Sequence, residues 1–232
     1  MLPHILMMPQ KLNVFISGTS AGIGKATAEL FLEKGFSVFG FDIQNATIVH
    51  SNYTHYNTDI SDKLTYPQFN FQPEILINNA GVQNSGKDIE INLKGSIYFT
   101  ENYAFHQGIQ AVLFVASASA HSGAEFPEYS ASKGGLISYM KNAAIRLAKF
   151  GAVCNSISPG GVTTELNRPV LENENLWNQI MQVTPLKRWA TPKQIAEWIY
   201  FLTVVNKNCT GQDILIDNGE KDLNATFVWP EN

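Results

Sequence analysis

The chain has, near its start, a fixed order of predicted elements: a strand, a glycine-rich turn, a helix, and a second strand that leads into an acid. The apolar run Leu12–Ser17 predicts the first strand, and the helical pattern Lys25–Lys34 follows the turn GTSAGIG. The second strand, Phe36–Phe41, runs directly into Asp42. This order is typical of a βαβ unit that binds a dinucleotide, because glycines let the backbone approach a pyrophosphate at the positive end of a helix.

The glycines of the turn are Gly18, Gly22 and Gly24, in the spacing GxxxGxG rather than the commoner GxGxxG. Taken alone, such a cluster is equally consistent with an ordinary tight turn. The strand before it, the helix after it and the acid beyond it favour cofactor binding instead.

Asp42 bears on the choice of cofactor. A carboxylate at the end of the second strand accepts hydrogen bonds from the ribose hydroxyls of NAD and repels the 2′-phosphate of NADP. No Arg or Lys lies between Gly18 and Gly24 to hold such a phosphate. The sequence therefore favours NAD(H) over NADP(H); the alternative is that Asp42 is a solvated loop residue.

Strands and helices continue to alternate along the rest of the chain. Further strands are predicted at Tyr53–Asn57, Glu74–Asn78, Ala111–Ala116, Ala152–Ile157 and Gln212–Ile216. The longer helices are predicted at Lys87–His106, at Pro127–Phe150 and from a capping box at Thr191 to about Val204. With about six helices in all, this pattern predicts an α/β fold, a single-domain Rossmann fold with a doubly wound, seven-stranded parallel sheet over residues 1–232. The looser segment from about 165 to 190 is typical of a lid beside a pocket.

The stretch Ser117–Lys133 carries the strongest indication of chemistry. Tyr129 and Lys133 are four residues apart in a predicted helix and so share a face. A nearby ammonium favours the phenolate and lowers the pKa of a tyrosine from about 10, so Tyr129 can exchange a proton near neutral pH. A serine just after an apolar strand, Ser117, would orient the reacting oxygen. The spacing alone is a weak signal, and the alternative is that both residues decorate a surface helix.

Asparagines at two places are further candidates. Asn78 and Asn79 end a predicted strand, where they form either a turn or part of the ligand crevice. Asn92 lies on an apolar helical stripe, and a polar amide there is either a structural linchpin or part of a site.

Composition argues against several classes of function. The net charge is −4, from 16 basic and 20 acidic residues without a long run of like charge, so nucleic acid is not expected as a partner. Two cysteines cannot form a disulfide framework, the N-terminal segment lacks the features of a secretory signal, and no apolar run reaches about 18 residues. We therefore expect a cytoplasmic protein that does not associate with membranes. His50, His55 and His121 lack a metal-ligand spacing, so no metal is expected and all three are interpreted as surface or loop residues.

The predicted helix Pro127–Phe150 is apolar on two sides, although a helix on one face of a sheet needs only one such stripe. One stripe consists of Leu136, Met140, Ala143 and Leu147, and the other of Ile137, Ala144 and Ala148. A second stripe left in water would form the kind of patch that marks an interface, so we expect a homo-oligomer.

With its glycine-rich turn, NNAG, Ser117, YSASK and SPGGVTT in this order, the chain resembles the classical short-chain dehydrogenase/reductase family, including its 3-oxoacyl-[acyl-carrier-protein] reductase-like members. The resemblance extends from about Leu12 to Gly219 and implies assembly as a tetramer. It assigns the catalytic roles to Asn92, Ser117, Tyr129 and Lys133. It assigns cofactor binding to Gly18, Ser20, Gly22, Ile23, Gly24, Asp42, Asp59, Ile60, Asn79, Ala80, Tyr129, Lys133, Pro159, Gly160, Val162 and Thr164.

The resemblance implies hydride transfer between a nicotinamide and a carbonyl or alcohol carbon, with Tyr129 as general acid in reduction and general base in oxidation. Lys133 would lower the pKa of Tyr129 and hold the nicotinamide ribose. Ser117 would hydrogen-bond the small-molecule substrate at its reacting oxygen, and Asn92 would support a water. The competing hypothesis is a regulator that senses NAD(H) without turnover. The substrate stays open among a 3-oxoacyl thioester, a small diketone or secondary alcohol, a sugar and a sterol.

The chain departs from the family pattern at three places. The intervals from Asp59 to Asn78 and from Gly81 to Asn92 are shorter than usual, which predicts clipped helices there. Ser117 lies 12 residues before Tyr129, one fewer than usual, so Ser119 is an alternative for its role.

Overall fold

The computed structural model describes residues 11–124 and 126–223, and these form one domain around a seven-stranded parallel sheet. The strands lie side by side in the order β3-β2-β1-β4-β5-β6-β7. They are β1 Asn13–Ser17, β2 Ser37–Asp42, β3 Tyr53–Asn57, β4 Ile75–Asn78, β5 Ala111–Val115, β6 Val153–Pro159 and β7 Asp213–Ile216. All seven predicted strands are confirmed to within two residues at each end. The N-terminal segment considered for a secretory signal, residues 1–10, lies outside the described ranges.

Helices cover both faces of the sheet. The α-helices of the described residues are α1 Gly22–Glu33, α2 Ser96–Tyr103, α3 Ser119–Ser122, α4 Pro127–Leu147, α5 Arg168–Leu171, α6 Glu174–Val183 and α7 Pro192–Tyr200. Shorter 3₁₀ turns occur at Lys63–Thr65, Ala148–Phe150 and Glu165–Asn167, and π-helical turns occur at Ile89–Gly95 and Phe201–Val205. Because every crossover is parallel, the carboxyl ends of the strands meet at one edge of the sheet.

Alternate residues of the strands supply two separate cores. Val14 and Ile16 of β1 pack on the face covered by α1 and α7, together with Phe31. Phe15, between them in sequence, points to the opposite face and packs with Phe41. The continuous apolar runs that predicted the central strands therefore reflect burial on both sides, as expected for a parallel sheet.

Aromatic side chains replace a helix between β3 and β4. That interval contains a 3₁₀ turn and no α-helix, which confirms the prediction that it is clipped. Phe69 lies 4.9 Å from Phe15 between ring centroids, and Phe71 lies at the same distance from Phe39. Tyr66 stacks on Tyr103 of α2 at 5.7 Å. These rings cover the apolar face that the missing helix would otherwise cover.

The helix predicted at Lys87–His106 differs from the prediction at both ends. It opens with the π-helical turn Ile89–Gly95, and α2 ends at Tyr103 because the chain turns back there to begin β5. At Gly95 a Cβ would lie 2.9 Å from Cγ1 of Ile60, so only glycine allows the helix to approach the chain after β3 this closely. A π turn holds one extra residue, and such turns are frequent at functional sites.

Two other helices follow their sequence signals. Thr191 and Gln194 form the predicted capping box at the start of α7, with Pro192 in the first turn. The first stripe of α4 is buried as predicted, but the second divides, because Ala144 is buried, Ile137 is half-buried and Ala148 is exposed.

Candidate functional site at the carboxyl edge of the sheet

The glycine-rich loop between β1 and α1 is packed directly against the chain that follows β4. Gly18 has φ +76°, and a Cβ there would lie 2.8 Å from Cα of Ala80. A Cβ at Gly24 would overlap the carbonyl oxygen of Gly18. A larger residue at either position would displace backbone. The two glycines thus let the loop pack closely on this side, while its other side can take a ligand at the N-terminus of α1.

Asn79 holds this loop in place. Its Nδ2 donates to the carbonyl oxygens of Ser17 (3.0 Å) and Gly18 (2.9 Å). The Ser17 hydroxyl in turn accepts from the backbone N–H groups of Asn79 (3.0 Å) and Ala80 (3.1 Å). Since both amide hydrogens of Asn79 are engaged by the loop, a contact with the adenosine could use only its Oδ1.

Asp42, at the end of β2, also binds the loop. Its Oδ2 accepts from the N–H of Ser20 (2.9 Å) and its Oδ1 accepts from the N–H of Gln44 (2.9 Å). Each carboxylate oxygen keeps a lone pair for a ribose hydroxyl. The Ser20 hydroxyl is buried and has no hydrogen-bond partner among the described residues. A cofactor phosphate or ribose at this position would supply that partner, so the loop fits a dinucleotide.

A chain of hydrogen bonds that the sequence did not reveal supports the loop from β3. The Thr19 hydroxyl lies 2.8 Å from Oη of Tyr53, which lies 3.0 Å from Nδ1 of His55. Nε2 of His55 lies 2.9 Å from the carbonyl oxygen of Gln44, which can only accept. Gly40 leaves room for this chain, because a Cβ there would overlap both hydroxyls. His55, predicted as a surface or loop residue, is therefore a half-buried strand residue with a structural role.

The predicted adenine residues follow β3. Asp59 accepts through Oδ1 from the N–H (2.8 Å) and hydroxyl (2.7 Å) of Ser61. Ile60 is buried against Gly95 of the π turn. Their contact with an adenine remains a prediction.

Lys133 is buried in α4 directly beneath the end of β5. Its Nζ donates to the carbonyl oxygen of Val115 (2.8 Å) and lies 5.7 Å from the ring centre of Tyr129. Burial lowers the pKa of Lys133 to about 8, and the negative charge of Asp88 opposes this shift. Asp88 is itself buried, and its carboxylate accepts from the N–H groups of Asn84 and Ser85 at 2.8 Å each. Sequence reasoning missed Asp88, because no local pattern marks it as a buried charge.

Asn92 lies across from Lys133 in the π turn. Its Oδ1 accepts from the N–H of Val82 (2.8 Å), and its Nδ2 donates to the Val82 carbonyl (2.9 Å) and the Ser132 hydroxyl (3.1 Å). The Ser132 hydroxyl donates to the carbonyl oxygen of Tyr129 (2.7 Å). Asn92 thus links the chain after NNAG to the helix that carries Tyr129 and Lys133. A structural role and a place in the site are therefore compatible for Asn92.

Gly81 marks the point where these groups meet. A Cβ on Gly81 would lie 3.0 Å from Oδ1 of Asn92 and 3.4 Å from Nζ of Lys133. Ser117, just beyond β5, has its Oγ 3.1 Å from Oγ of Ser119 and accepts from the Ser119 N–H at 3.2 Å. Ser119 is the more deeply buried of the two, which favours Ser117 as the serine that a substrate reaches.

The turn after β6 faces the glycine-rich loop from the other side. Gly160 donates its N–H to the Ile216 carbonyl (2.9 Å), and Val162 is buried. A Cβ at Gly22 would lie 3.5 Å from Cγ2 of Thr164. The residues assigned to the phosphates and to the nicotinamide therefore border one crevice.

The two tryptophans near the predicted lid pack on each other rather than lining open space. Trp177 of α6 contacts Trp189 edge-on, with ring centroids 5.3 Å apart. The indole of Trp189 covers Gly161 so closely that a Cβ there would overlap it. The interpretation of residues 165–190 as a lid remains a prediction.

Residues 11–124 and 126–223 contain no group of three or more His, Cys, Asp or Glu side chains that could hold a metal ion. Across the same residues, no helix combines the length and apolar character needed to cross a membrane.

Comparison with known proteins shows which proteins resemble this chain in sequence and structure. A family model described as enoyl-(acyl carrier protein) reductase matches residues 72–221. The 2,3-dihydro-2,3-dihydroxybenzoate dehydrogenase of Escherichia coli (strain K12) is 29% identical, over 89% of this chain and 96% of its own length. The L-rhamnose 1-dehydrogenase (NAD(P)(+)) of Sphingomonas sp. (strain SKA58) is 27% identical, over 89% of this chain and 95% of its own. The structure of 4-hydroxyisoleucine dehydrogenase complexed with NADH superposes with a TM-score of 0.80 at 28% identity, covering 92% of this chain and all of that one.

The lowered pKa of Lys133 predicts a pH dependence of stability that the variant Lys133→Met should lose. Between pH about 8 and the unfolded-state pKa of about 10.4, the unfolded chain carries a proton on Lys133 that the folded chain has released. The free energy of unfolding should therefore rise with pH in this window, by up to about 1.4 kcal/mol per pH unit, and be unaffected by Lys133 below it. Urea denaturation at pH 8 and pH 9.5 measures this rise.

The matched control is Lys141→Met, which removes an exposed lysine from the same helix. It should keep the rise seen in the unmodified protein. An equal rise in Lys133→Met would show that the Lys133 ammonium is not desolvated as described.

Proposed function

The chain belongs to the classical short-chain dehydrogenase/reductase family, and from that premise we propose that this carbonyl/alcohol oxidoreductase depends on NAD(H) and uses Tyr129 as its general acid and base. The observation that carries the proposal is the buried ammonium of Lys133 beside Tyr129 at the base of the crevice. If Tyr129 and Lys133 only decorated a surface helix, which is the alternative, the ammonium would lie in solvent and not in the protein interior. NAD(H) would supply the hydride and accept it back in the reverse reaction.

In the direction of reduction, Tyr129 donates its phenolic proton to the carbonyl oxygen as the carbon receives the hydride. In oxidation, the same oxygen removes the proton from the alcohol. Ser117 donates a hydrogen bond to the substrate oxygen, where negative charge develops in the transition state. The positive charge of Lys133 stabilises the phenolate that remains after proton transfer.

Lys133 has hydrogen-bonding capacity for a second task. An ammonium has three donors, and the Val115 carbonyl uses one of them. We assign another to the nicotinamide ribose. The hydrogen bonds that place Asn92 against Val82 and Ser132 fix the opposite wall, where a water leading protons away from Tyr129 would bind.

The substrate is a small molecule, and the names of the relatives indicate which compounds to test first. Their names include a dihydroxybenzoate-type dehydrogenase and a sugar dehydrogenase, so a ring or chain with hydroxyl groups is a reasonable first panel. A 3-oxoacyl thioester belongs in the same panel. Absence of NADH oxidation with every carbonyl compound and of NAD+ reduction with every alcohol would favour the regulator that binds NAD(H) without turnover.

We propose that the chain works in the cytoplasm as a homo-oligomer, a tetramer by its resemblance to the family. The outward side of α4 supports the assembly, because Ile145 is 77% exposed and, apart from the helix's own nearby backbone, no atom of the described residues lies within 4 Å of a Cβ placed on Gly134. A second copy packed there would remove the exposed isoleucine from water.

Tyr129→Phe should bind NADH as the unmodified protein does and lose about 10²–10⁴-fold in kcat, because only the transferable proton is removed. Fluorescence titration measures the binding and steady-state kinetics the turnover. The control is Tyr139→Phe, which removes a hydroxyl from the same helix. That hydroxyl donates to Glu101, away from the crevice. Turnover within a few-fold of normal in Tyr129→Phe would mean that another group transfers the proton.

Asp42→Asn should shift the cofactor preference toward NADP(H) by about tenfold or more in the ratio of kcat/KM values, because the repelling charge is removed while one oxygen remains for one of the two backbone N–H groups. Asp62→Asn is the control, since Asp62 also accepts a backbone N–H, from Leu64 (3.0 Å). A preference for NADP(H) in the unmodified protein would contradict the proposed role of Asp42.

Light scattering at micromolar concentration tests the assembly. The expected mass is a multiple of the 25.7 kDa chain, and Ile145→Lys should lower it by placing a charge in the interface. A monomeric mass together with full activity would overturn the oligomer.

A further inference from the structure

A buried carboxylate at the start of β7, Asp213, takes no part in the chemistry described so far. Asp213 begins the edge strand β7, and its side chain is only 7% exposed. Its Oδ1 accepts from the hydroxyl of Ser156, and its Oδ2 accepts from the hydroxyl of Ser158 at 2.8 Å. Both serines are fully buried in β6. A charge in such a place is costly unless a cation or several donors compensate it.

His121 provides the remaining donor. Its Nε2 lies 2.7 Å from Oδ2 of Asp213 and 3.3 Å from Oγ of Ser158. Because a carboxylate can only accept, Nε2 carries a proton in this pair whether the ring is neutral or charged. The His121 side chain is 38% exposed, so it reaches the surface while the carboxylate that it binds is buried. His121 thus lies at the surface, as the sequence predicted, and also binds a buried carboxylate.

The position of His121 in the chain gives the pair its significance. His121 belongs to α3, a four-residue turn that begins two residues after Ser117 and is followed by Gly123 with φ +63°. So short a turn has little core of its own. It is anchored to β6 at its start, where the N–H of Ala118 donates to the Pro159 carbonyl (2.9 Å), and to β7 near its end through His121.

We propose that His121 and Asp213 form a latch that fixes the Ser117–Ser122 segment against β6 and β7 and so holds the Ser117 hydroxyl in position for the substrate. Both are positioning residues, and the inference rests on the proposed role of Ser117. The latch attaches the segment after Ser117 to the start of β7, while the N–H of Ala118 attaches it to Pro159 at the end of β6. Loss of the latch changes the orientation of the serine, and small errors of position are costly in catalysis.

A comparison of three variants tests the latch with NADH and a ketone that the unmodified protein reduces. His121→Ala should lower kcat about tenfold or more while the dissociation constant of NADH changes less than twofold. His121→Gln should recover most of the loss, because the glutamine amide can donate to the Asp213 carboxylate. His50→Ala, which removes an exposed histidine, should match the unmodified protein.

A double-mutant cycle shows whether the two residues act together. Asp213→Asn keeps the size of the side chain and removes its charge, and its effect on kcat should not add to that of His121→Ala. Additive effects, a kcat near normal in His121→Ala, or a His121→Gln variant no better than His121→Ala would each overturn the latch. The result is independent of the Tyr129→Phe experiment. A normal kcat in His121→Ala beside an inactive Tyr129→Phe rejects the latch alone, whereas an active Tyr129→Phe rejects the proposed function.

Discussion

A lysine ammonium held inside the protein is the constraint on which the site depends. Lys133 gives up most of its hydration and receives in return the Val115 carbonyl and the field of buried Asp88. A buried charge is tolerated only where hydrogen bonds hold the polar atoms around it in fixed positions. The hydrogen bonds of Asn92 and Ser132 do this near Lys133. The glycine at position 81 belongs to the same arrangement, since a side chain there would press on both Asn92 and Lys133.

The positions of the strands along the chain and the identity of the polar candidates could be predicted because both depend on local patterns. Runs such as Ala111–Ala116 are apolar throughout since β5 is buried on two faces, and that pattern is visible in one dimension. Tyr129 and Lys133 were identifiable for a similar reason: helical spacing places them on one face before any tertiary contact is known.

What the sequence could not supply are the partners that come from distant parts of the chain. Asp88 and Ser132 are ordinary polar residues until folding encloses them next to Lys133 and Asn92. The pairing of His121 with Asp213 joins residues 92 positions apart, and no local rule connects them. The aromatic replacement of a helix after β3 was foreseen only as a shortening, because which rings would pack together depends on the whole sheet.

The π-helical turn at Ile89–Gly95 has a consequence for how this region can change over time. Its extra residue offsets the two halves of the helix by about 100°, the rotation that one residue contributes in an α-helix. Deleting one residue between Asn92 and Ser96 would restore regular geometry and swing Asn92 away from Val82 and Ser132, while α2 kept its packing. The direction in which Asn92 points therefore depends on the number of residues in this turn as well as on their identities. Substitutions at positions other than Asn92 and Gly95 are tolerable where insertions and deletions are not.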